Sequence, residues 1–392
     1  MPGPERIYLD NAATTWPKPE SVYAAIEQMM RSNGTAVSRG VFGDAAQASQ
    51  SVQQARIELA NYIGADSDAS VVFTNSGTDS LSTAILGLLK PNDSVVTTAI
   101  EHNSVLRPLH HLEQTADVRL KIVPSDETGL VSVSDVADAI DDQTRLLVIN
   151  HVSNVTGVVQ PVQEMIAAAK AKQPKLIVLL DAAQSLGYLP IDVNKIGCDL
   201  LAAPGHKGLY GPLGTGILYL HSTIADEVVP LRFGGTGVSS GQVQQPTTMP
   251  EKFEAGNINV PGIAGMAAGL RFLKTEQAQV AKENQQHCYE LLLKGLRSID
   301  GLILHLPKTI DPRIGIVSIS IAELDSHEAA NLLDTIGQIQ VRSGLHCAPL
   351  LHRQMSTLDR GGTVRFSVGR FTTPLHIERT VDVLREISQP LS

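Results

Sequence analysis

Short aliphatic runs alternate with amphipathic stretches through the first half of the chain, and this pattern limits the possible folds more than any other feature. Six runs have the length and composition of buried strands, at 71–74, 94–97, 146–150, 176–180, 200–203 and 216–220. Helical patterns lie between them at 80–89, 133–140 and 162–171. Strands that alternate with helices form a mainly parallel sheet with helices on both faces. We therefore predict an α/β fold.

The second half of the chain is organised differently. A glycine-rich polar stretch at 233–250 is followed by a long helical pattern at 263–298 and then by short strands and helices. This order predicts a large domain at residues 16–255. Residues 1–15 and 256–392 are predicted to form a smaller α/β domain packed against it.

Composition excludes several classes of protein. The 392 residues contain 31 Lys+Arg and 40 Asp+Glu, a net charge of −9, without a basic block that would attract nucleic acid or an anionic membrane. The N-terminus lacks the apolar segment of a signal peptide, so we predict a cytoplasmic protein. Its 3 cysteines show no CxxC spacing and its 12 histidines no HExxH pattern, so we predict neither a disulfide framework nor a metal site.

A lysine in a glycine-rich turn is the strongest chemical signal. Lys207 lies in Pro-Gly-His-Lys-Gly-Leu-Tyr-Gly-Pro, downstream of Asp181, which ends an aliphatic run. A lysine that forms a Schiff base and an aspartate that keeps a pyridine nitrogen protonated are what pyridoxal 5′-phosphate (PLP) requires. Gln184, one turn further on, faces the same side and could donate to the ring oxygen. The alternatives are a solvated lysine and an aspartate that only caps a helix.

Other polar residues follow predicted strands, where ligands bind in such sheets. Gly77 and Thr78 begin a helix whose N–H groups could hold a phosphate, although an ordinary helix cap fits equally well. His206 could also position the phosphate or cap its strand. His102 could stack on the cofactor ring or relay protons, and Asn154 could contact the ring oxygen. The alternatives are a loop histidine and a turn asparagine.

Two residues in the last 50 positions suggest roles toward a substrate. Arg365 alternates with apolar residues on a predicted strand, where it could clamp an α-carboxylate or form a structural salt bridge. Cys347 lies in Arg-Ser-Gly-Leu-His-Cys-Ala-Pro, beside His346 and near Arg342, which would favour a thiolate nucleophile. A small buried hydrophobe is the alternative for this cysteine.

The ordered set of these motifs resembles the class V, fold-type I PLP enzymes, and within them the cysteine desulfurase family. The segment Arg-Ser-Gly-Leu-His-Cys-Ala at 342–348 resembles the group II (SufS-like) desulfurases and selenocysteine lyases. The resemblance covers nearly the whole chain and rests on the segments at 8–13, 76–78, 101–103, 153–157, 181–184, 205–207, 253–256, 342–348 and 364–367.

The resemblance implies a role for each matching residue. Lys207 would carry PLP and move the substrate's α-proton, and His102 would stack on the ring. Cys347 would take the sulfur of L-cysteine, or of a related substrate such as L-selenocysteine, as an enzyme persulfide and leave L-alanine. The further contacts to cofactor and substrate would come from Asp181, Gln184, Asn154, His206, Thr78, Gly77 and Arg365.

The resemblance also implies partners. Family members are homodimers, in which the segment at Asn257 of one subunit would reach the phosphate of the other. A sulfur-acceptor protein would receive the persulfide sulfur for iron–sulfur cluster or thio-cofactor assembly. Pro204, Asn257 and Leu345 depart from the family pattern, where many relatives have serine, threonine and histidine.

Three other functions remain open at the level of sequence. A PLP-dependent C–S β-lyase would need no cysteine nucleophile, so Cys347 discriminates against it. Selenocysteine lyase would use the same residues as a desulfurase. A catalytically silent partner of a desulfurase would have no need of the Lys207–Asp181 pair.

Overall fold

The computed structural model describes residues 6–37, 42–322 and 324–388. Its strands are β1 (Ile7–Tyr8), β2 (Val71–Thr74), β3 (Ser94–Thr98), β4 (Arg119–Val123), β5 (Thr144–Asn150), β6 (Ile177–Asp181), β7 (Leu200–Pro204), β8 (Gly216–Leu220), β9 (Leu302–His305), β10 (Ile316–Ile321), β11 (Ile339–Gln340), β12 (Arg342–Gly344) and β13 (Thr363–Ser367). Its α-helices are α1 (Glu20–Ser32), α2 (Gly43–Ile63), α3 (Gly77–Leu88), α4 (Asn103–Thr115), α5 (Val133–Ala139), α6 (Val162–Lys172), α7 (Val193–Ile196), α8 (Val260–Phe272), α9 (Glu276–Arg297), α10 (Ser326–Gly337), α11 (Pro349–Gln354) and α12 (Pro374–Ile387).

A seven-stranded sheet, in the order β2-β8-β7-β6-β5-β3-β4, forms the centre of the molecule. Strands β3 to β7 run parallel, and β8 is antiparallel to both of its neighbours. All six predicted strands and the mainly parallel sheet are confirmed. The sequence did not reveal the edge strand β4, because its charged, half-exposed residues lack the aliphatic run of a central strand.

The aliphatic runs are continuous because both faces of the large sheet are buried. Along β5, Leu147 and Ile149 pack into the apolar core on one face, whereas Leu146 and Val148 pack into the core on the other. Successive side chains of a strand point to opposite faces, so a central strand needs an apolar residue at every position. Helices therefore cover both faces.

The long helical pattern near residue 280 is two helices rather than one. Helix α8 ends at Phe272, and α9 begins after Thr275, whose hydroxyl accepts a hydrogen bond from the Ala278 N–H at 3.2 Å. Ile263 and Met266 of α8 pack into the core beneath the large sheet. Helix α8 thus groups with the large sheet although it lies beyond residue 255. The domain division itself stays a prediction.

The C-terminal part contains an antiparallel sheet in the order β12-β13-β10-β9. The N-terminal segment returns to this part of the chain, because β1 pairs in parallel with β11 and Asp10 forms a bridge with Ser367. This arrangement places β13 beside the carboxyl ends of the large sheet, where Ser318 of β10 donates to the Val155 carbonyl. Within the described ranges, no helix is long and apolar enough to span a membrane.

Candidate active site

A pocket opens at the carboxyl ends of the central strands, where the large and small sheets meet. Its walls bring together side chains that lie far apart in the sequence. Those predicted to act on a cofactor or substrate are Gly77, Thr78, His102, Asn154, Asp181, Gln184, His206, Lys207 and Arg365, and all nine line this one pocket.

The backbone around Lys207 is held by contacts from two directions. The Thr15 hydroxyl donates to the Lys207 carbonyl at 3.0 Å, and the Lys18 ammonium donates to the His206 carbonyl at 3.4 Å. On the other side, Gly208 packs so tightly that a β-carbon there would lie 2.1 Å from the Leu186 carbonyl oxygen. The turn therefore requires glycine at this position and fixes the direction of the lysine side chain.

The Lys207 amine makes no hydrogen bond with any residue that the structure describes. Burial lowers the pKa of this amine to about 8, although the nearby Asp181 charge opposes the shift. An amine with a pKa near 8 is partly neutral at physiological pH, which is the form that attacks a carbonyl. Lys207 is therefore suited to covalent attachment of an aldehyde cofactor.

Asp181 ends β6 and is buried at the pocket wall. Its Oδ1 accepts a hydrogen bond from the Ala183 N–H at 2.9 Å. Burial raises the pKa of Asp181, while that hydrogen bond and the Lys207 charge oppose the rise. A ligand N–H at the carboxylate would offset the cost of burying its charge.

His102 and Gln184 are oriented by backbone partners. The Ser104 N–H donates to His102 Nδ1 at 3.0 Å, so the imidazole caps α4. Burial, followed by the Lys207 charge, lowers the pKa of His102 to about 4. The neutral ring then carries its proton on Nε2, the nitrogen left for a ligand. Gln184 Nε2 donates to the Ala12 carbonyl at 2.9 Å, which fixes the amide at the pocket wall.

The start of α3 forms one end of the pocket. Ser76 is the residue that caps this helix, through a hydrogen bond from the Asp79 N–H at 3.1 Å, while the Thr78 hydroxyl pairs with Ser104 at 2.7 Å. Gly77 allows a close approach, because a β-carbon there would lie 2.9 Å from Cδ of Pro204. The free N–H groups of the first turn and the unpartnered Nδ1 of His206 provide donors for an anion.

Cys347 lines a depression beside this pocket, and Arg342 lines both of them. Arg342, which lines the pocket, donates from Nη2 to the Cys347 Sγ at 3.4 Å. The Asn103 N–H donates to the Cys347 carbonyl at 2.7 Å, and Asn154 Nδ2 donates to the His346 carbonyl at 2.7 Å. Cys347 is half-buried, whereas Cys198 and Cys288 are buried.

Arg365 extends from β13 into the pocket wall with only 1% of its side chain exposed. Its Nη2 donates to Asp10 Oδ1 at 2.7 Å, and its Nη1 donates to the Asn154 carbonyl at 2.9 Å. No sequence motif assigned a role to Asp10. A carboxylate two residues after the end of β1 was the available signal, but its partner lies 355 residues away in the chain.

Glu101, beside His102, is a second residue to which no sequence motif assigned a role. Its Oε1 accepts hydrogen bonds from the Thr98 hydroxyl at 2.7 Å and the Asn150 N–H at 2.9 Å. Its Oε2 is buried without a partner among the described residues. Burial raises the pKa of Glu101 to about 8, and the nearby Asp181 charge adds to the rise. A carboxyl group three residues after the end of the buried strand β3 was the signal for it.

Asn257 lies apart from this pocket. It is exposed and lines two neighbouring depressions, one of them beside Thr74 and Asn75. Its predicted role toward the phosphate of another subunit stays a prediction. Within the described ranges, no group of three or more His, Cys, Asp or Glu side chains could hold a metal ion.

Comparisons with known proteins agree on one family. A model of the aminotransferase class-V family matches residues 7–380. A probable cysteine desulfurase of Methanothermobacter thermautotrophicus is 36% identical over 98% of this chain and 95% of that protein. The solved apo structure of the cysteine desulfurase from Thermococcus onnurineus NA1 has a TM-score of 0.90 at 32% identity, covering 98% of this chain and 95% of that one. This chain therefore belongs to the class V aminotransferase family, in the branch of the cysteine desulfurases.

Proposed function

We propose that this protein is a PLP-dependent L-cysteine desulfurase in which Cys347 receives the sulfur. The observation that carries the proposal is the position of Arg342. This side chain lines the pocket of Lys207 and Asp181 and contacts the Cys347 Sγ at 3.4 Å. A nucleophilic sulfur thus lies at the edge of a site built for an amino-acid substrate.

The residues of the pocket fit PLP. Lys207 offers a partly neutral amine, and the buried Asp181 carboxylate lacks a cationic partner at hydrogen-bond distance among the described residues. The buried Asn154 Oδ1 and His206 Nδ1 are unpartnered polar atoms that a ligand would satisfy. Asp181 would hold the ring nitrogen, Gln184 and Asn154 the ring oxygen, and the start of α3 with Thr78 and His206 the phosphate.

In this proposal each of the pocket residues has a separate role toward the substrate. Bound PLP would supply an electron sink for the bonds at the substrate's α-carbon. The Lys207 amine would remove the α-proton and return it to the carbon skeleton. Arg365 would hold the α-carboxylate, and the neutral His102 ring would cover the reacting atoms and limit the access of water.

The sulfur step belongs to Cys347. Its thiolate attacks the sulfur of the bound substrate, the substrate's Cβ–S bond breaks, and its electron pair passes to the carbon skeleton. A sulfur–sulfur bond forms on the enzyme, and a proton completes L-alanine. L-cysteine and the enzyme thiol thus become L-alanine and an enzyme persulfide. An external thiol, such as an acceptor protein of a cytoplasmic iron–sulfur or thio-cofactor pathway, would then take the outer sulfur.

Product identification tests this proposal. The PLP-loaded protein is given L-cysteine with dithiothreitol, and we expect L-alanine and sulfide in equal amounts. Cys347→Ala should lower alanine formation by about a thousandfold or more, because the other two cysteines, Cys198 and Cys288, are buried and line neither this pocket nor the depression beside it that Cys347 lines. Cys288→Ala makes the same chemical change at a buried site and should retain activity. Pyruvate and ammonia that persist in Cys347→Ala would identify a C–S β-lyase instead.

A further inference from the structure

Two arginines share one face of the small antiparallel sheet. The register of β12 and β13 places Arg342 directly opposite Arg365, and both side chains line the pocket. Like charges in directly opposed positions destabilise a sheet, and the burial of Arg365 strengthens that repulsion. The pair therefore needs a counter-charge.

Asp10 provides this counter-charge. Its Oδ1 forms an ion pair of 2.7 Å with Arg365 Nη2, and among the described residues Arg342 forms no ion pair with a carboxylate. The backbone of Asp10 is fixed by a bridge to Ser367 and by the Tyr8 hydroxyl, which donates to the Asp10 carbonyl at 3.0 Å. Asp10 does not line the pocket itself.

The contacts of Arg365 leave part of its donor capacity unused. Asp10 and the Asn154 carbonyl occupy one N–H of each terminal nitrogen. The Nε–H group is buried and has no acceptor among the described residues. Buried donors are nearly always satisfied, so this edge of the guanidinium is free for a ligand carboxylate.

We propose that Asp10 is a positioning residue for carboxylate recognition: it holds the Arg365 guanidinium at the pocket wall and balances its charge until a ligand carboxylate binds. The identity of that ligand as L-cysteine rests on the proposed function. Because the ligand and Asp10 then share one guanidinium, Asp10 also weakens carboxylate binding. Removing its charge while keeping its oxygen should tighten that binding.

A thermal titration of the PLP-free protein tests this without any turnover. Asp10→Asn keeps an acceptor oxygen for Arg365 and removes the charge. In chloride we expect a lower Tm than for the wild type, and in acetate at equal ionic strength a steeper rise of Tm with concentration. Asp382→Asn, which breaks an exposed ion pair with Arg385 on α12, is the matched control and should follow the wild type.

Two further variants test whether acetate binds at Arg365. Asp10→Asn combined with Arg365→Gln should lose the steeper rise of Tm with acetate concentration, because the guanidinium is gone. Asp10→Glu keeps the negative charge, so its Tm should rise with acetate concentration about as in the wild type. The proposal would be overturned if Tm rose equally with acetate concentration in the wild type and in Asp10→Asn. It would also be overturned if the steeper rise of Tm in Asp10→Asn persisted after Arg365→Gln was added.

Kinetics provide a second readout. With L-cysteine, Asp10→Asn should lower KM by about threefold or more while kcat changes by less than about twofold, the effect expected from one unit charge removed a few ångströms from the ligand. A raised KM would contradict the charge-balancing role. If the wild type forms no L-alanine, the proposed function fails, but the acetate titration still decides the role of Asp10.

Discussion

At the scale of single residues, burial sets the charges of the pocket. It lowers the pKa of the Lys207 amine to about 8 and that of His102 to about 4, and it raises the pKa of Glu101 to about 8. Each shift favours the neutral form of the group, because each charge would leave water for a poorly polarisable interior. At neutral pH, His102 and Glu101 are therefore mainly uncharged.

The neutral state of Glu101 predicts a pH dependence of stability. Its pKa of about 8 in the folded protein lies above its usual 4.5, so the folded state binds the proton more tightly than the unfolded state does. The resulting stabilisation is complete below pH 4.5 and is lost as the pH rises through 8. Glu101→Gln mimics the protonated acid, so its Tm relative to the wild type should rise between pH 5 and pH 8.

Thermal unfolding across this pH range measures the difference. Glu113→Gln, at an exposed position on α4, is the control and should give a Tm curve parallel to that of the wild type. If the curve of Tm against pH for Glu101→Gln is also parallel to that of the wild type, Glu101 is already ionised in the folded protein across this range.

At the scale of elements, one buried ion pair joins three parts of the chain. Arg56 of α2 forms two hydrogen bonds of 2.8 Å with Glu254, and Glu254 Oε1 accepts from the Phe73 N–H of β2 at 2.7 Å. Arg56 also donates to the Val71 carbonyl. Both side chains of the pair are less than 10% exposed. The contacts fix α2 and the Glu254 segment against the first strand of the large sheet.

We expect Arg56→Met to lower the free energy of unfolding by about 3–5 kcal/mol, because the Glu254 charge stays buried without its partner. Adding Glu254→Gln should recover part of this loss. Urea denaturation of the two single variants and the double variant measures their coupling. Arg271→Met, which breaks a more exposed pair with Glu58, should cost about 1 kcal/mol or less. If Arg56→Met and Arg271→Met lower the free energy of unfolding by similar amounts, burial does not make the Arg56–Glu254 pair more important for stability than an exposed pair.

Local sequence signals account for most elements but not for all of their limits. Polar caps such as Thr275 lie inside a continuous helical pattern, and only the change in chain direction shows that α8 and α9 are separate. Strand β4 carries Arg119 and Lys121, which are compatible with an edge and also with a loop. In both cases, neighbouring elements decide between two local conformations that the sequence permits.

At the scale of the whole molecule, hydrogen bonds attach the Cys347 segment to the loops and the helix start that follow strands of the large sheet. The carbonyls of His346 and Cys347 accept hydrogen bonds from the Asn154 amide and the Asn103 N–H, respectively. Gln354, at the end of α11, accepts from the N–H of Ser125 at 2.9 Å and from its hydroxyl at 2.5 Å. These bonds hold the Cys347 segment beside the pocket of Lys207.

Gln354→Ala should loosen this attachment, since losing two hydrogen bonds costs on the order of 1–2 kcal/mol of local stability. We expect the amides of residues 345–354 to exchange with deuterium about tenfold faster, while the core of the large sheet exchanges unchanged. Gln279→Ala, at an exposed position on α9 where it pairs with Glu283, is the control. Unchanged hydrogen exchange at residues 345–354 would mean that the other contacts are enough to hold this segment in place without Gln354.

The sequence alone determined six strands of the large sheet, three of the helices between them and the residue types that chemistry requires, because periodicity, glycine turns and strand-end polar groups are local properties of a chain. It placed Lys207, Asp181 and Arg365 among the residues of one site, and the structure brings them into one pocket. Only the tertiary structure showed that Asp10 pairs with Arg365 and that Glu101 Oε2 is buried without a hydrogen-bond partner among the described residues. Such partners are separated by up to 355 residues, and their contact depends on how two sheets pack, which no local pattern encodes.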